Sequence, residues 1–345
     1  MPGRVEAMPQ RFVTAGAVAH RAGVSRSTVS RAFTPGRSVS PEAKRRVIAA
    51  AEEMGYRVNR LAQGLIRAGS PLVGLVGANL GAPFHASQVA ALSEALLADG
   101  MQCLVLNADR PGRDMAPLIA NLLEFRARAV VILSGTPSTA IVAECRRSGL
   151  RVILINKPLP GVAAHTILCD DTTGARLAAE RLLAAGCRHL ALIGSASGTA
   201  SITRRMHAFR ACLAQQRLEP VVWCQGATSY ETGLEAARAL LGRGPIDGAF
   251  CVTDLIAMGF LDGARHERGR VVPADLSVVG FDDIPQAAWR AYALTTIRQS
   301  VPRLVAAVMR AIALNDEPDP NEPPMVLSVS LVERASVRAP AGAAR

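Results

Sequence analysis

The sequence predicts an all-α helix-turn-helix N-terminal domain joined to a much larger α/β core. Three observations carry this. Residues 14–58 hold three short helical patterns, with a tight Ala22-Gly23-Val24-Ser25 turn before the second. From Leu72 onward, short apolar runs alternate with helix-length Ala/Leu/Arg segments. The charge is also uneven: residues 1–69 hold 12 of the 39 Lys+Arg against 4 Glu and no Asp, so +8 of the net +11 lies in about a fifth of the chain.

Thr14 is placed to cap the first helix, whose Val18, Ala19 and Ala22 recur at helical spacing. Gly23 supplies the positive φ that the turn needs. Ser25 caps a second helix running from Arg26 to about Phe33. At about 100° per residue, Val29 and Phe33 share a face to be buried against the other two helices. Ser27 and Arg31 share the opposite face and are free to meet base edges. Arg26 lies in the first turn, where recognition helices touch DNA. Thr28 and Ser30 suit phosphate contacts, which fix position rather than sequence. Ser40-Pro41 opens the third helix as cap and first helical residue. Val47, Ala51 and Met54 form its inner stripe, and Gly55 ends it. Lys44-Arg45-Arg46 reads as solvated charge near phosphates. A small basic domain on a near-neutral body is a nucleic-acid footprint, so double-stranded DNA is the expected partner. The alternative is a solvated basic face.

The core follows as LVGLVGANL, MQCLVLNA, AVVILSG, RVILINKP, HLALIGSAS, VVWCQG, GAFCVTD and LSVVGFDD, short apolar runs ending near Gly, Asn, Ser or Asp. Helical segments such as 85–100, 173–186 and 205–216 lie between them. That alternation implies parallel sheets with helices on both faces, and ligands in such folds bind at the carboxyl ends of the strands.

Catalysis finds no foothold. Gly194-Ser195-Ala196-Ser197-Gly198 has the glycines of a nucleophile elbow but Ala at its centre. Gly74, Gly77 and Gly81 do not make a dinucleotide fingerprint, and no phosphate-binding loop is present. The six histidines and seven scattered cysteines show no metal spacing. The chain is therefore expected to be no enzyme and to need no cofactor or metal. Free thiols, the lack of a transmembrane-length apolar run and an N-terminus unlike a signal peptide lead to an expected cytoplasmic location, away from membranes.

AHRAGVSRSTVSRAF, VSPEAKRRVIAAAEEMGY and NRLAQGL resemble the lactose-repressor/galactose-repressor family of bacterial regulators. INKPLP, DDTTGARLAA, VTDLIAMG, SVVGFDDIP and LTTIRQ then follow in the expected order, so the resemblance spans roughly residues 14–338. It implies a two-lobed, periplasmic-binding-protein-like core after the reading domain at 14–58 and a hinge and linker at 59–70. The core is expected at 71–338, with lobe one at about 71–164 and 296–323 and lobe two at about 165–295 and 324–338. The resemblance further implies a hinge helix over Asn59–Arg67 that enters the minor groove, with Leu65 as the wedge and Ala62 beside it. Two departures stand out: Val58 occupies a frequent proline position, and Gly64 lies inside the hinge segment.

For the small-molecule site, the resemblance carries over Arg205 and Asp282 as effector-binding residues, with Thr253-Asp254 at a strand end and Phe84 or His85 from lobe one. Thr228 stands where many members carry a stacking aromatic, which favours a small hydrophilic effector over a flat one. The implied protein is a homodimeric, sequence-specific regulator, a repressor on a pseudo-palindromic operator, controlled by a sugar, sugar acid or similar effector. The alternative is a cytosolic solute-binding or sensor module without specific DNA binding.

Overall fold

The computed structural model describes residues 12–34, 36–58, 70–108, 115–135, 137–314, 318–319 and 322–340. The chain divides into two compact units, Met1–Ser70 and Pro71–Arg345.

The first unit is built from α1 (Ala15–Ala22), α2 (Arg26–Ala32) and α3 (Pro41–Glu53). Each begins on a hydroxyl cap. Thr14 Oγ1 accepts from Ala17 N at 3.2 Å, Ser25 Oγ from Thr28 N at 3.2 Å and Ser40 Oγ from Ala43 N at 3.3 Å. Gly23 takes φ of 65°, the left-handed turn between α1 and α2. Val18, Ala19, Ala22, Val29, Ala32, Val47, Ala50 and Ala51 form the buried centre. Phe33 and Met54 sit at its margin rather than inside it, because α2 ends at Ala32 and α3 at Glu53, one residue short of each side chain. Ala50 fills the place expected of Met54, and the Phe33 ring instead tilts against Tyr56 with centroids 5.8 Å apart.

The second unit runs β1 (Leu72–Gly77), α4 (Pro83–Ala98), β2 (Gln102–Asn107), α5 (Ala116–Glu124), β3 (Ala129–Ile132), α6 (Thr139–Arg147), β4 (Arg151–Ile155) and β5 (His165–Cys169). It continues through α7 (Asp171–Ala184), β6 (Leu190–Gly194), α8 (Ala200–Ala214), β7 (Val221–Cys224), α9 (Tyr230–Leu240), β8 (Gly248–Cys251) and α10 (Asp254–Asp262). The last part is β9 (Ser277–Asp282), β10 (Thr295–Gln299), α11 (Val301–Ala313), β11 (Met325–Leu327) and β12 (Val329–Val332). These strands make two six-stranded sheets, ordered β11-β5-β4-β3-β1-β2 and β12-β10-β9-β8-β6-β7. Every pairing is parallel except that of β10 with the edge strand β12.

The chain crosses between lobes three times, each crossing a few residues later than the sequence reading placed it. β5 pairs with β4 in the first sheet, so residues 165–169 belong to lobe one. β10 pairs with β9 in the second sheet, so 295–299 belong to lobe two. β11 pairs with β5 in the first sheet and β12 with β10 in the second, so the last crossing falls at Ser328. The physical reason is common to all three. A strand completes its ladder in one sheet, and the switch occurs only where the next helix or strand packs on the other core. α11, for example, returns to lobe one through Leu304, Ala307 and Val308, which pack with Val73 and Leu92.

Candidate functional site

On the first unit, Arg26, Ser27 and Arg31 are exposed on α2. The Ser25 hydroxyl reaches those of Ser27 at 2.8 Å and Thr28 at 2.9 Å, so both are held by the helix cap. Ser30 is half-buried, and its carbonyl accepts from the Thr34 hydroxyl at 2.8 Å. Arg31 reaches back to the Ser27 carbonyl only through Nε, at 3.4 Å. Its terminal nitrogens bond no described residue, which leaves the guanidinium fork for an outside acceptor. Arg31 also shares a hollow of about 350 Å³ with Arg37 and Lys44. Asn59, Ala62 and Leu65 lie outside the described residues.

On the second unit, a cleft of about 520 Å³ opens at the carboxyl ends of both sheets. Lobe one supplies the start of α4, including Phe84 and His85, together with Asn79, Ser134, Asn156 and Lys157. Lobe two supplies Ser197, Thr199, Ser201, Arg205, Thr228, Thr253 and Asp282, with Gln299 at a crossing strand.

Arg205 is the fixed point of this wall. It is 4% exposed. Nε donates to Asp171 Oδ1 at 2.8 Å, and Nη1 donates to the Val252 carbonyl at 2.8 Å and more weakly to Asp282 Oδ1 at 3.4 Å. Its Cζ lies 3.6 Å from the centroid of the Phe281 ring. Burial alone would push this guanidinium down, but the Asp171 and Asp282 charges more than offset it. Nη2 bonds no described residue. Asp282 and Asp283 both take left-handed φ, 126° and 58°. Arg298 Nε at 2.6 Å and Arg334 Nη2 at 2.7 Å hold Asp283, and Gln299 Nε2 at 2.7 Å holds Asp282, so the turn aims its first carboxylate into the cleft. Burial pushes Asp282 above the ordinary carboxylate range, with Arg205 and Gln299 pulling it back. Burial pushes both His85 and Lys157 down.

Residues 16–59 match the family described as "Bacterial regulatory proteins, lacI family", and residues 179–337 match "Periplasmic binding protein-like domain". The HTH-type transcriptional regulator AscG of Escherichia coli (strain K12) is 30% identical over 336 residues, covering 94% of this chain and 98% of that protein. The chain belongs to the lacI family of bacterial regulatory proteins. As a lacI-family member it is a DNA-binding transcriptional regulator, of a family whose members regulate rather than catalyse. The lactose operon repressor of the same organism is 28% identical, over 95% of this chain and 91% of that one. The fold matches the lac repressor dimer bound to operator and the anti-inducer ONPF with a TM-score of 0.82 and 25% identity, covering 95% of this chain and all of that chain. It also matches the transcriptional regulator CelR–cellobiose complex with a TM-score of 0.67 and 28% identity, covering 94% and 99%.

Of the effector residues the sequence pointed to in this lacI-family core, Phe84, His85, Arg205, Thr253 and Asp282 line the one cleft. Asp254 does not. It is fully buried beneath the wall, where its carboxylate accepts from Ile284 N at 2.9 Å and from the Thr296 hydroxyl. Its place at the first position of α10 turns the side chain into the sheet while its neighbour Thr253, the cap, faces the cleft. Asp171 was missed. It is fully buried and anchors Arg205 through one oxygen and Arg204 through the other, at 3.1 and 2.8 Å. The only sequence signal was its doubling with Asp170, which itself caps α7. Among the described residues no cluster of His, Cys, Asp and Glu is arranged to hold a metal, and no helix is long and apolar enough to cross a membrane.

Proposed function

We propose that this regulator is a homodimeric cytoplasmic repressor whose hold on a pseudo-palindromic operator is set by a small hydrophilic effector bound between the lobes of its core. One observation carries the reading. Arg205, buried and oriented by two carboxylates and a carbonyl, faces a cleft whose walls belong to two separately cored lobes. A ligand touching both walls favours one lobe arrangement over others, and only such differential binding shifts an equilibrium. The cellobiose complex of CelR and the operator-bound lac repressor dimer support the two halves of this reading. Base reading is assigned to Arg26, Ser27 and Arg31, and phosphate positioning to Thr28 and Ser30. Effector contact is assigned to Phe84, His85, Arg205, Thr253 and Asp282.

The test is a mobility shift on a panel of pseudo-palindromic duplexes, repeated with candidate effectors. One duplex should bind far more tightly than the rest, and one class of effector should change that affinity. Asp282→Asn, which keeps the turn's shape but not the charge, should abolish the effector response and spare operator binding. A chain that prefers no duplex at all would be a solute sensor rather than a repressor.

A further inference from the structure

All three crossings between the lobes pass one small cavity. It measures about 20 Å³, and Cys169 at the first crossing, Ser300 at the second and Ser328 at the third all line it. Phe84 and Gln88, one turn apart on α4, complete the lining from lobe one. Phe84 and Asn156 line the effector cleft as well, so the two spaces adjoin. α4 buries Gln88, Leu92 and Leu96 at intervals of four, so a glutamine stands where the stripe would continue with leucine. Gln88 is 2% exposed, and its buried Oε1 finds no donor among the described residues. An unpaired amide oxygen inside a protein is costly, and native folds satisfy such groups with protein donors or with ordered water.

The lining narrows what can reach that oxygen. Among the described residues it holds no Asp, Glu, Lys, Arg or His, and burial pushes the Cys169 thiol up, which keeps it neutral. Such a lining suits a neutral guest, and the volume suits about one water molecule. A bound water needs two or more polar partners. Two hydroxyls line the cavity besides Gln88. Ser300 Oγ accepts from Arg303 N at 3.3 Å and Ser328 Oγ accepts from Arg303 Nη1, and each keeps its own proton to give. Water both donates and accepts, so it can donate to the Gln88 oxygen and accept from a serine.

We propose that an ordered water occupies this cavity, held by Gln88 from lobe one and by Ser300 and Ser328 at two of the crossings, and that it serves as the joint on which the lobes turn. The inference stands whatever binds the cleft. Close-packed side chains resist small displacements, whereas a water exchanges one partner for another as the crossings bend. Two backbone amides beside the cavity report on that bending. Cys169 N donates to Asn156 Oδ1 at 2.7 Å, and Asp170 N donates to the Leu327 carbonyl at 3.0 Å. These bonds tie the first crossing to the end of β4 and to the third crossing, so their exchange with solvent follows hinge opening.

The test is a high-resolution crystal structure of the full chain, joined to amide hydrogen exchange. A water should lie within about 3.2 Å of the Gln88 side-chain oxygen and of at least one of the two serine hydroxyls. Gln88→Leu, which continues the leucine stripe, should lose that water. It should also slow exchange at Cys169 and Asp170 threefold or more relative to the amides of β6 and β8 in the core of lobe two. An unchanged ratio, or faster exchange at those two amides, would overturn the joint and leave only a water site. No water beside Gln88 in the unaltered chain, or a protein donor on its oxygen, would overturn the whole inference, whether or not the variant folds. Neither result bears on the effector, which the mobility shift decides.

Discussion

Arg205 shows why a binding residue in this core cannot be judged by its ligand contacts alone. Its guanidinium also neutralises Asp171 and Asp282 inside the lobe. Arg205→Ala should therefore cost about 3–5 kcal/mol of stability, because it leaves the buried Asp282 without its arginine and Asp171 with Arg204 alone. Urea unfolding of the variant measures this, and a loss under about 1 kcal/mol would mean that Arg204 and Gln299 suffice to hold the two acids. Asp254 makes a contrasting case. Burial and the nearby Asp282 charge raise it well above the ordinary carboxylate range. A raised folded value means that this group's contribution is fully present below its unfolded value, about 4, and is lost as pH rises through the folded one. Wild type should thus lose stability relative to Asp254→Asn between pH 5 and pH 8. A difference that does not change with pH would show the acid to be ionised throughout. On α2, Arg31→Ala should cost about 1–3 kcal/mol on the preferred duplex and relax preference at one base position. Equal weakening on all duplexes would make Arg31 a phosphate contact. At this scale Arg205 and Asp282 were legible because motifs flank them. Asp171 was not, since its partners lie 33 and 34 positions away, and Asp254 was misread because a strand-end pair does not say which member faces in.

Elements were legible where a local rule fixes them. Hydroxyl caps and Gly23 set the three N-terminal helices, and apolar runs marked the central strands. Sheet membership was not legible. β11 and β12 are three and four residues long, separated by Ser328, and belong to different sheets, a fact decided by packing rather than by anything local. Close helix contacts were hidden as well. Gly233 in α9 and Gly259 in α10 let two backbones touch: a Cβ on Gly259 would stand 1.9 Å from the Tyr230 carbonyl oxygen, and one on Gly233 2.0 Å from that of Ile256. An isolated glycine in a helix ordinarily costs about 1 kcal/mol against Ala, so each is retained for this approach. Gly259→Ala should destabilise the core at or beyond the upper end of the roughly 1–3 kcal/mol usual for overpacking, since backbone cannot rotate aside as a side chain does. Equilibrium denaturation would show it, and a neutral result would mean that α9 and α10 can slide apart without penalty.

For the molecule as a whole, the decisive property is that one small, strongly basic unit is joined to a nearly neutral core. In the proposed homodimer each such unit reads one half-site, so that two copies engage one duplex at a fixed phase. Half-sites one helical turn apart, or a multiple of it, lie on the same side of DNA. Inserting about five base pairs between them rotates one half-site to the far side without changing its sequence. A homodimer should then fall to the affinity of a single half-site, and an insertion of about ten base pairs should restore part of the loss. A monomeric reader would bind all three duplexes alike. Salt separates this from non-specific attraction. If each head neutralises three to five phosphates, affinity for the intact site should drop by about 10³–10⁵ between 50 and 200 mM salt, with a shallower slope on the half-site. Equal slopes on intact and half-site duplexes would mean that only one head is engaged, and lobe closure would then have no second head to move out of phase.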